Sequence, residues 1–592
     1  MNKKYTAVLL AAAISSGAMA QSLNKEIVTD RDVEPAERAV TRPLALVPDL
    51  YSAPVRTTTL RPWEYTSTGT VRRQLSRLEP AAFADTFAIS PYRGYASIGY
   101  LPAFNLGASA GYRLINTAST HLGAWLQYSG MSYKMPGDRL LTPQEDKASL
   151  NRHAFTLGVD LSQRWTAGTL DADAAFTYGS TGQPYFDDNF TQSVTAFDLD
   201  LDWRAATEKL PWHLGLSFNT FGFGKNTPLF NETYDIINPR PSWEPEKVRE
   251  NIVGGRAGIM LPSGNHAWGL DVDARFQILS GSNALHPVAE EMLGSSQVAT
   301  AKILNIGSRT YSVTRLTPYY SLTNHPFNAR LGVNVDISSS GSNGVKVAPE
   351  VELTYAPSQQ FSVWGKATGG RQLNTLASLY NRSPYMNSEL TYSQSTVNVD
   401  ASLGINIGPL AGFSASAWVG YSDAGSWLAP VANGCYSFYA PHSTTALRYG
   451  IALDWQYRSI VTIHLGGQGA QNNDHKSYYA WNDAARWVVD ASLKVTPIKP
   501  LDIAVSWEFR SGRHGFLLTP AIGEGLLQVP YWQGETCPMG VVSNLSASAR
   551  YRLTDAFSIF ANVENILGRR WQNVIGIDEP GVNGLVGVAY KF

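Results

Sequence analysis

Charge, cysteine and long apolar runs are all scarce in this chain, and each scarcity removes a class of protein. Charged residues make up 16% of the 592 positions, against about 25% in ordinary soluble domains. There are two cysteines and ten histidines, the latter without metal-ligand spacing; a disulfide-dense scaffold and a zinc site are therefore not expected. Beyond the first 20 residues no apolar stretch reaches the roughly 18 residues that a membrane-crossing helix needs. The net charge of −1 argues against nucleic acid as a partner. The residues show no nucleophile motif, no paired catalytic carboxylates and no cofactor cradle, so an enzyme is not expected and no catalytic, cofactor-binding or metal-binding residues are assigned.

What is abundant points elsewhere. Gly 51, Tyr 29, Trp 16 and Phe 22 give a glycine-rich, aromatic chain, and its mean hydropathy is −0.16. Near-neutral hydropathy with little charge is what results when lipid-facing and lumen-facing residues alternate along strands. Residues 1–20 read as a secretion signal: Lys3 and Lys4, an apolar run from Ala7 to Ile14, and small residues ending at Ala18, Met19 and Ala20. Residues 21–91 carry Pro35, Pro43, Pro48, Pro54, Pro62 and Pro80 among mixed charges such as Asp30, Arg31 and Asp32. That composition describes an irregular periplasmic or lumenal arm, too short to bury much core alone.

From Tyr92 to Phe592 the pattern becomes alternation with a period of two. Phe197, Leu199, Leu201 and Trp203 alternate with Asp198, Asp200, Asp202 and Arg204; Leu447, Tyr449, Ile451, Leu453, Trp455 and Tyr457 alternate with Arg448, Gly450, Ala452, Asp454, Gln456 and Arg458. The same parity recurs over 268–278 and 501–510. Trp and Tyr gather at strand tips, as they do at the two lipid boundaries of a membrane barrel. Short turns are expected near 116–120, 166–168, 205–211, 262–265, 323–326, 356–359, 408–412, 458–459, 497–500 and 554–556, with longer loops between them, including 224–247, 280–300, 370–388, 424–443 and 511–540. Short turns alternating with long loops are the mark of periplasmic and extracellular connections, and the count closes at about 22 strands. The fold class is thus all-β: a transmembrane antiparallel β-barrel over residues 92–592.

The last residues sharpen this. Val586, Val588, Tyr590 and Phe592 share one face of a strand, and Leu585, Gly587, Ala589 and Lys591 share the other. A strand ending at a C-terminal Phe leaves an open sheet edge unless it pairs with the first strand, so Tyr590 and Phe592 are assigned to barrel closure. The stretch 557–571, the Glu579-Pro580-Gly581 loop and the closing Val-Ala-Tyr-Lys-Phe together resemble the last two strands of TonB-dependent outer-membrane transporters. That resemblance implies a wide barrel in the bacterial outer membrane. It also implies a folded plug ahead of the barrel, for which residues 21–91 are too few, and a TonB-engaging motif, of which residues 25–29 are only a faint echo. A barrel of this width with an empty lumen would be a damaging hole; the arm, inward-folded loops or a partner protein are the candidates to fill it.

Candidate site residues follow from parity. A lumen-facing charged wall is expected from Asp198, Asp200, Asp202, Arg204, Asp271, Asp273, Arg275, Arg448, Asp454, Asp502, Glu508, Arg510 and Lys591, together with Glu350, Glu352 and Arg458. It serves either as a solute pathway or as the hydrated, salt-bridged wall of any such barrel. Cys435 and Cys537 both fall in expected extracellular loops, where a bond is favoured by compartment but depends on geometry. Asp187, Asp188 and Asn189 form either a polar loop tip or a calcium site. Loop aromatics Trp427, Tyr436, Phe438, Tyr439, Tyr531 and Trp532 either dock a partner or pack over the barrel mouth. The first functional expectation is a plugless accessory subunit of an outer-membrane complex such as protein assembly or export machinery, with protein partners in the outer membrane or periplasm. The alternative is a transporter or porin for a small solute or peptide. In both, the exterior would contact outer-membrane lipid and lipopolysaccharide.

Overall fold

In a computed structural model the described residues are 92–592, apart from 102–104, 118, 137–146, 183–190, 208, 226–247, 281–308, 340–343, 387–393, 434–435, 473–484 and 523–529. Residues 1–91, and with them the signal, the arm and residues 25–29, lie outside this set, as do Asp187, Asp188, Asn189 and Cys435. Among the described residues, 24 strands form one sheet; the hairpin His514–Ile522 and Pro530–Pro538 stands outside the wall, leaving a closed antiparallel barrel of 22.

Each wall strand pairs with its sequence neighbours, and the sheet closes where the first strand, Gly94–Leu101, pairs with the last, Asn583–Lys591, in the register Tyr95↔Lys591 to Tyr100↔Val586. The chain end completes the seam. The amides of Arg93 and Gly94 both donate to the Phe592 carbonyl at 2.8 Å, and the Phe592 amide donates to the Gly94 carbonyl at 3.0 Å. In lipid no water can satisfy a main-chain group, so closure leaves no open edge at membrane depth. Gly587 sits at this seam opposite Gly99. A Cβ there would meet the Ile98 carbonyl oxygen at 2.2 Å, so the two strands approach only because neither carries a side chain at that level.

All ten short turns fall at one end of the barrel. At residues 411 and 412, between the paired Leu410 and Phe413, φ is 52° and 83°. Two consecutive positive angles give the turn whose twist matches a two-residue hairpin. Outward positions are apolar and exposed: Val586, Val588, Tyr590 and Phe592 on the closing strand, and Leu447, Tyr449, Ile451, Trp455 and Tyr457 on Tyr436–Tyr457. Aromatic pairs mark the lipid boundaries, with Trp165 and Trp203 at 5.6 Å and Trp268 and Tyr320 at 4.9 Å near the turn end, and Tyr449 and Trp487 at 5.8 Å toward the other. This is an outer-membrane barrel, with the short turns on its periplasmic side.

The long connections differ from their expected form. Within 370–388 the strand Phe361–Leu373 is followed by a helix, Leu376–Arg382. Over 424–443 the strands Phe413–Asn433 and Tyr436–Tyr457 continue as one paired hairpin, and 511–540 holds the extra hairpin. Ahead of the turn near 323–326 the described residues form the strand Arg309–Asn324. Alternation identifies strands where one face meets lipid; above the bilayer that contrast disappears.

Ile451, 53% exposed and central in its apolar row, tests the orientation of the wall. Ile451→Arg should lower the unfolding free energy in lipid vesicles by about 2–4 kcal/mol, whereas Ala452→Ser on the opposite face should change it by less than about 0.5 kcal/mol. Urea titration of the refolded barrel measures both.

Candidate functional site

The inward positions of the wall carry charge, and the charges are matched. Asp200 and Asp202 both receive Arg256, at 2.7 and 3.1 Å, while Asp198 accepts from the Asn219 amide at 2.6 Å. Arg204 meets Asp171 at 3.0 Å near the periplasmic rim, where its side chain is 71% exposed. Asp271 pairs with Arg330 at 2.6 Å, and Asp273 with Arg275 at 2.7 Å. Arg448 pairs with Asp400, Arg510 with Glu508, and Lys366 with Glu352. Asp454 and Asp490 flank the two ring nitrogens of His464 at 2.7 and 2.9 Å. Asp502 accepts from Thr496 at 2.8 Å and meets Arg552 at 3.3 Å; Lys591 lies in the field of Arg550, Arg552 and Asp555. Glu350 accepts from Asn334 at 2.8 Å and Thr368 at 2.6 Å. Arg458 is in a turn over the Tyr457 ring, outside this network.

Cross-strand register explains why the pairs form. Asp202, Gly215, Arg256, Asp273, Arg315, Asp336 and Lys346 lie directly opposite one another on successive strands, so from Arg256 to Lys346 the signs alternate, whereas on the preceding strands Asp202 faces Asp171, and Asp200 faces Asp173, which in turn faces Asp160. Opposite charges directly across a ladder stabilise, and like charges do the reverse. The most enclosed member is Asp336, whose side chain has no exposed surface; it accepts from Arg315 at 2.7 and 3.0 Å and from the Arg371 amide at 2.5 Å. Arg256, Arg315, Arg330 and Asp336 were missed in the sequence, although a strict parity count along their strands places each of them inward.

Toward the extracellular end the wall changes character. Apolar residues join the inward positions there: Val194, Phe221, Phe223 and Leu279 are buried, and the helix Leu376–Arg382 packs on them through Leu376, Leu379 and Tyr380. The spacing of these three residues puts them on one helical face. The helix is capped by reciprocal bonds between Thr375 and Ser378, yet at seven residues it is far below the length that holds in water unaided. Wall side chains hold it. Glu250 accepts the Leu376 amide on both carboxylate oxygens, at 3.1 and 3.0 Å. Gln277 donates to Glu250 at 2.5 Å and to the Asn374 carbonyl at 3.0 Å, and Gln192 donates to the Met386 carbonyl at 3.2 Å. Thr181 and the Tyr380 hydroxyl are 2.9 Å apart. From the long hairpin, Tyr439 donates to the Leu379 carbonyl at 2.9 Å and Leu428 accepts from Arg382 at 3.1 Å.

A second connection joins this cap. Arg152 donates to the Tyr385 hydroxyl at 3.0 and 3.3 Å and to Glu579 at 3.3 Å, tying segment 374–386 to the loop before the closing strand. Burial pushes the Tyr385 phenol up, keeping it neutral beside the guanidinium. Arg513 donates to the Gln572 carbonyl at 2.7 Å, which brings in the base of the extra hairpin. Of the loop aromatics, Trp427 and Tyr439 are buried, at 7% and 0% exposure; Tyr439 packs with the cap, whereas Trp427 packs with Val397 and Ala424. Tyr436, Phe438, Tyr531 and Trp532 belong to strands of the two hairpins. Cys537 faces Gly515 across the extra hairpin. Among the described residues no group of three or more His, Cys, Asp or Glu is arranged to hold a metal ion.

No protein-family model matches the sequence, and no curated protein matches it. Solved structures do. The FrpB iron transporter from Neisseria meningitidis superposes with a TM-score of 0.59 at 12% identity, covering 85% of this chain and 81% of that one. The siderophore receptor PirA from Acinetobacter baumannii gives 0.60 at 11% identity, covering 85% and 80%. A mutant form of the ferric enterobactin receptor PfeA from Pseudomonas aeruginosa gives 0.57 at 12%, covering 84% and 80%. At these identities the likeness is one of fold, and it is the fold that the terminal strands resembled.

The matched wall makes a graded prediction. Asp336→Asn leaves Arg315 without its buried counter-charge and should cost about 3 kcal/mol or more. Arg204→Ala, at an exposed pair, should cost less than about 1 kcal/mol. Equal effects in vesicle unfolding would contradict the burial assignment.

Proposed function

We propose that this barrel is a gated outer-membrane transporter for a small solute, with segment 374–386 as its extracellular gate. The observation that carries the reading is a folded helix inside the mouth of a wide barrel whose wall is charge-paired. An 8-stranded barrel fills itself with side chains, whereas one of 22 strands leaves a lumen that must be plugged or covered. A wall that carries both signs suits a hydrated path for a small solute. The iron transporter and siderophore receptors that share the fold support transport over the accessory-subunit role that the sequence first pointed to. On this reading residues 1–20 are removed on secretion, residues 21–91 are a periplasmic or lumenal arm, and the exterior meets lipid and lipopolysaccharide.

Arg152 is the contact that links the two inward connections, so it is the point at which the gate is weakest to substitution. Arg152→Met, or replacement of 374–386 by a Gly/Ser linker of equal length, should raise single-channel conductance in planar bilayers several-fold over the wild type. Unchanged conductance in both variants, with a stoichiometric partner co-purifying in mild detergent, would overturn the transport reading in favour of the accessory one. The mature protein should begin at Gln21 in N-terminal sequencing; retention of residues 1–20 would contradict the signal assignment.

A further inference from the structure

We infer that the lumenal surface beneath the gate is a peptide-binding site, and that segment 374–386 is its resident occupant. Four side chains outside the segment address its main chain rather than its side chains: Gln277 at the Asn374 carbonyl, Glu250 at the Leu376 amide, Tyr439 at the Leu379 carbonyl and Gln192 at the Met386 carbonyl. Main-chain groups are common to every peptide. Contacts of this kind therefore accept any segment that presents the same spacing, and the selective part of the site is apolar.

That apolar part is out of place in a hydrated lumen. Phe221 and Phe223 follow Ser217 and Asn219 on the same inward parity of the strand Trp212–Lys225, and Leu279 follows Arg275 and Gln277 on His266–Ser280. Left uncovered, Val194, Phe221, Phe223 and Leu279 would expose a contiguous apolar patch to water, the usual sign of a binding surface. It receives Leu376, Leu379 and Tyr380, the i, i+3, i+4 set by which an amphipathic helix seats in a groove. Tyr380 meets the rings of Phe221 and Phe223 at 5.6 and 5.9 Å, and its hydroxyl meets Thr181. The ligand class follows: a short peptide with apolar and aromatic residues at helical spacing. Glu250 accepts from an amide N–H at that point and, when ionised, disfavours an anion.

A helix this short is held by these contacts, so a peptide competing for them displaces it and opens the gate. This deepens the transport reading and rests on it only for the opening step; binding itself stands apart. A fluorescent peptide with the sequence of residues 374–386 should bind the Gly/Ser-replaced barrel, by anisotropy, at least tenfold more tightly than it binds the wild type. Phe221→Ser with Phe223→Ser in that background should weaken it at least tenfold, and a scrambled peptide should not bind. Folding is checked by heat-modifiable migration; should the replaced barrel fail to fold, Leu379→Ser in the full chain loosens the same contacts and should show the same direction of change. No preference for the native over the scrambled peptide on a folded variant overturns the inference. Raised conductance without peptide binding leaves the gate and removes the peptide site, whereas peptide binding without altered conductance keeps the site and removes the gate.

Discussion

Main-chain hydrogen bonding inside a bilayer admits no open edge, and the rest of this molecule follows from how the chain meets that demand. The closing strand must find the first one in register, which the Phe592 carbonyl does by taking two amides from Arg93 and Gly94. Gly99 and Gly587 let the seam draw together. Closure at 22 strands then fixes a circumference, and the circumference fixes a lumen too wide for wall side chains to fill. The cap of inward-folded segments is the structural answer visible in the described residues.

The lumen divides into two environments along its axis. In the periplasmic and central part the wall carries both signs, with opposite charges facing each other across the ladder from Arg256 to Lys346, and it stays polar. Near the mouth, inward positions include Val194, Phe221, Phe223 and Leu279 and gain a folded segment over them. The contrast is thermodynamic as well as geometric. Paired charges at a hydrated wall contribute little individually, while burial of Phe221, Phe223, Leu376, Leu379 and Leu279 contributes on the order of 1.5–3 kcal/mol for each fully buried side chain. The cap is therefore held chiefly by apolar contact, with Glu250, Gln277, Gln192 and Tyr439 setting its position.

Much of the barrel was legible in the sequence because lipid imposes parity: Leu447, Ile451 and Trp455 cannot exchange faces with Arg448, Ala452 and Gln456 without placing charge in hydrocarbon. The ten turns were legible for the same reason, since each interrupts an alternating run. Legibility stopped where lipid contact stops. Residues 422–433 continue the strand, and their composition resembles a loop. The helix carries three apolar residues within one turn and a half, too few to register as a period. The partners of the cap are joined across more than a hundred positions, as Arg152 is to Glu579 and Glu250 to Leu376. Pattern within a segment carries no information about such contacts.

On the transport reading, segment 374–386 is the barrier between the outside medium and the lumen. The most direct measurement places a reporter behind it: Ser217→Cys, on an inward position of the strand Trp212–Lys225, with Cys435 and Cys537 changed to Ser. Intact cells are then exposed to a bulky, membrane-impermeant maleimide. If the segment is the barrier, the reporter stays unlabelled with the native sequence and becomes labelled when 374–386 is replaced by a Gly/Ser linker. Equal labelling in the two proteins, whether high or low, would show that the barrier lies elsewhere.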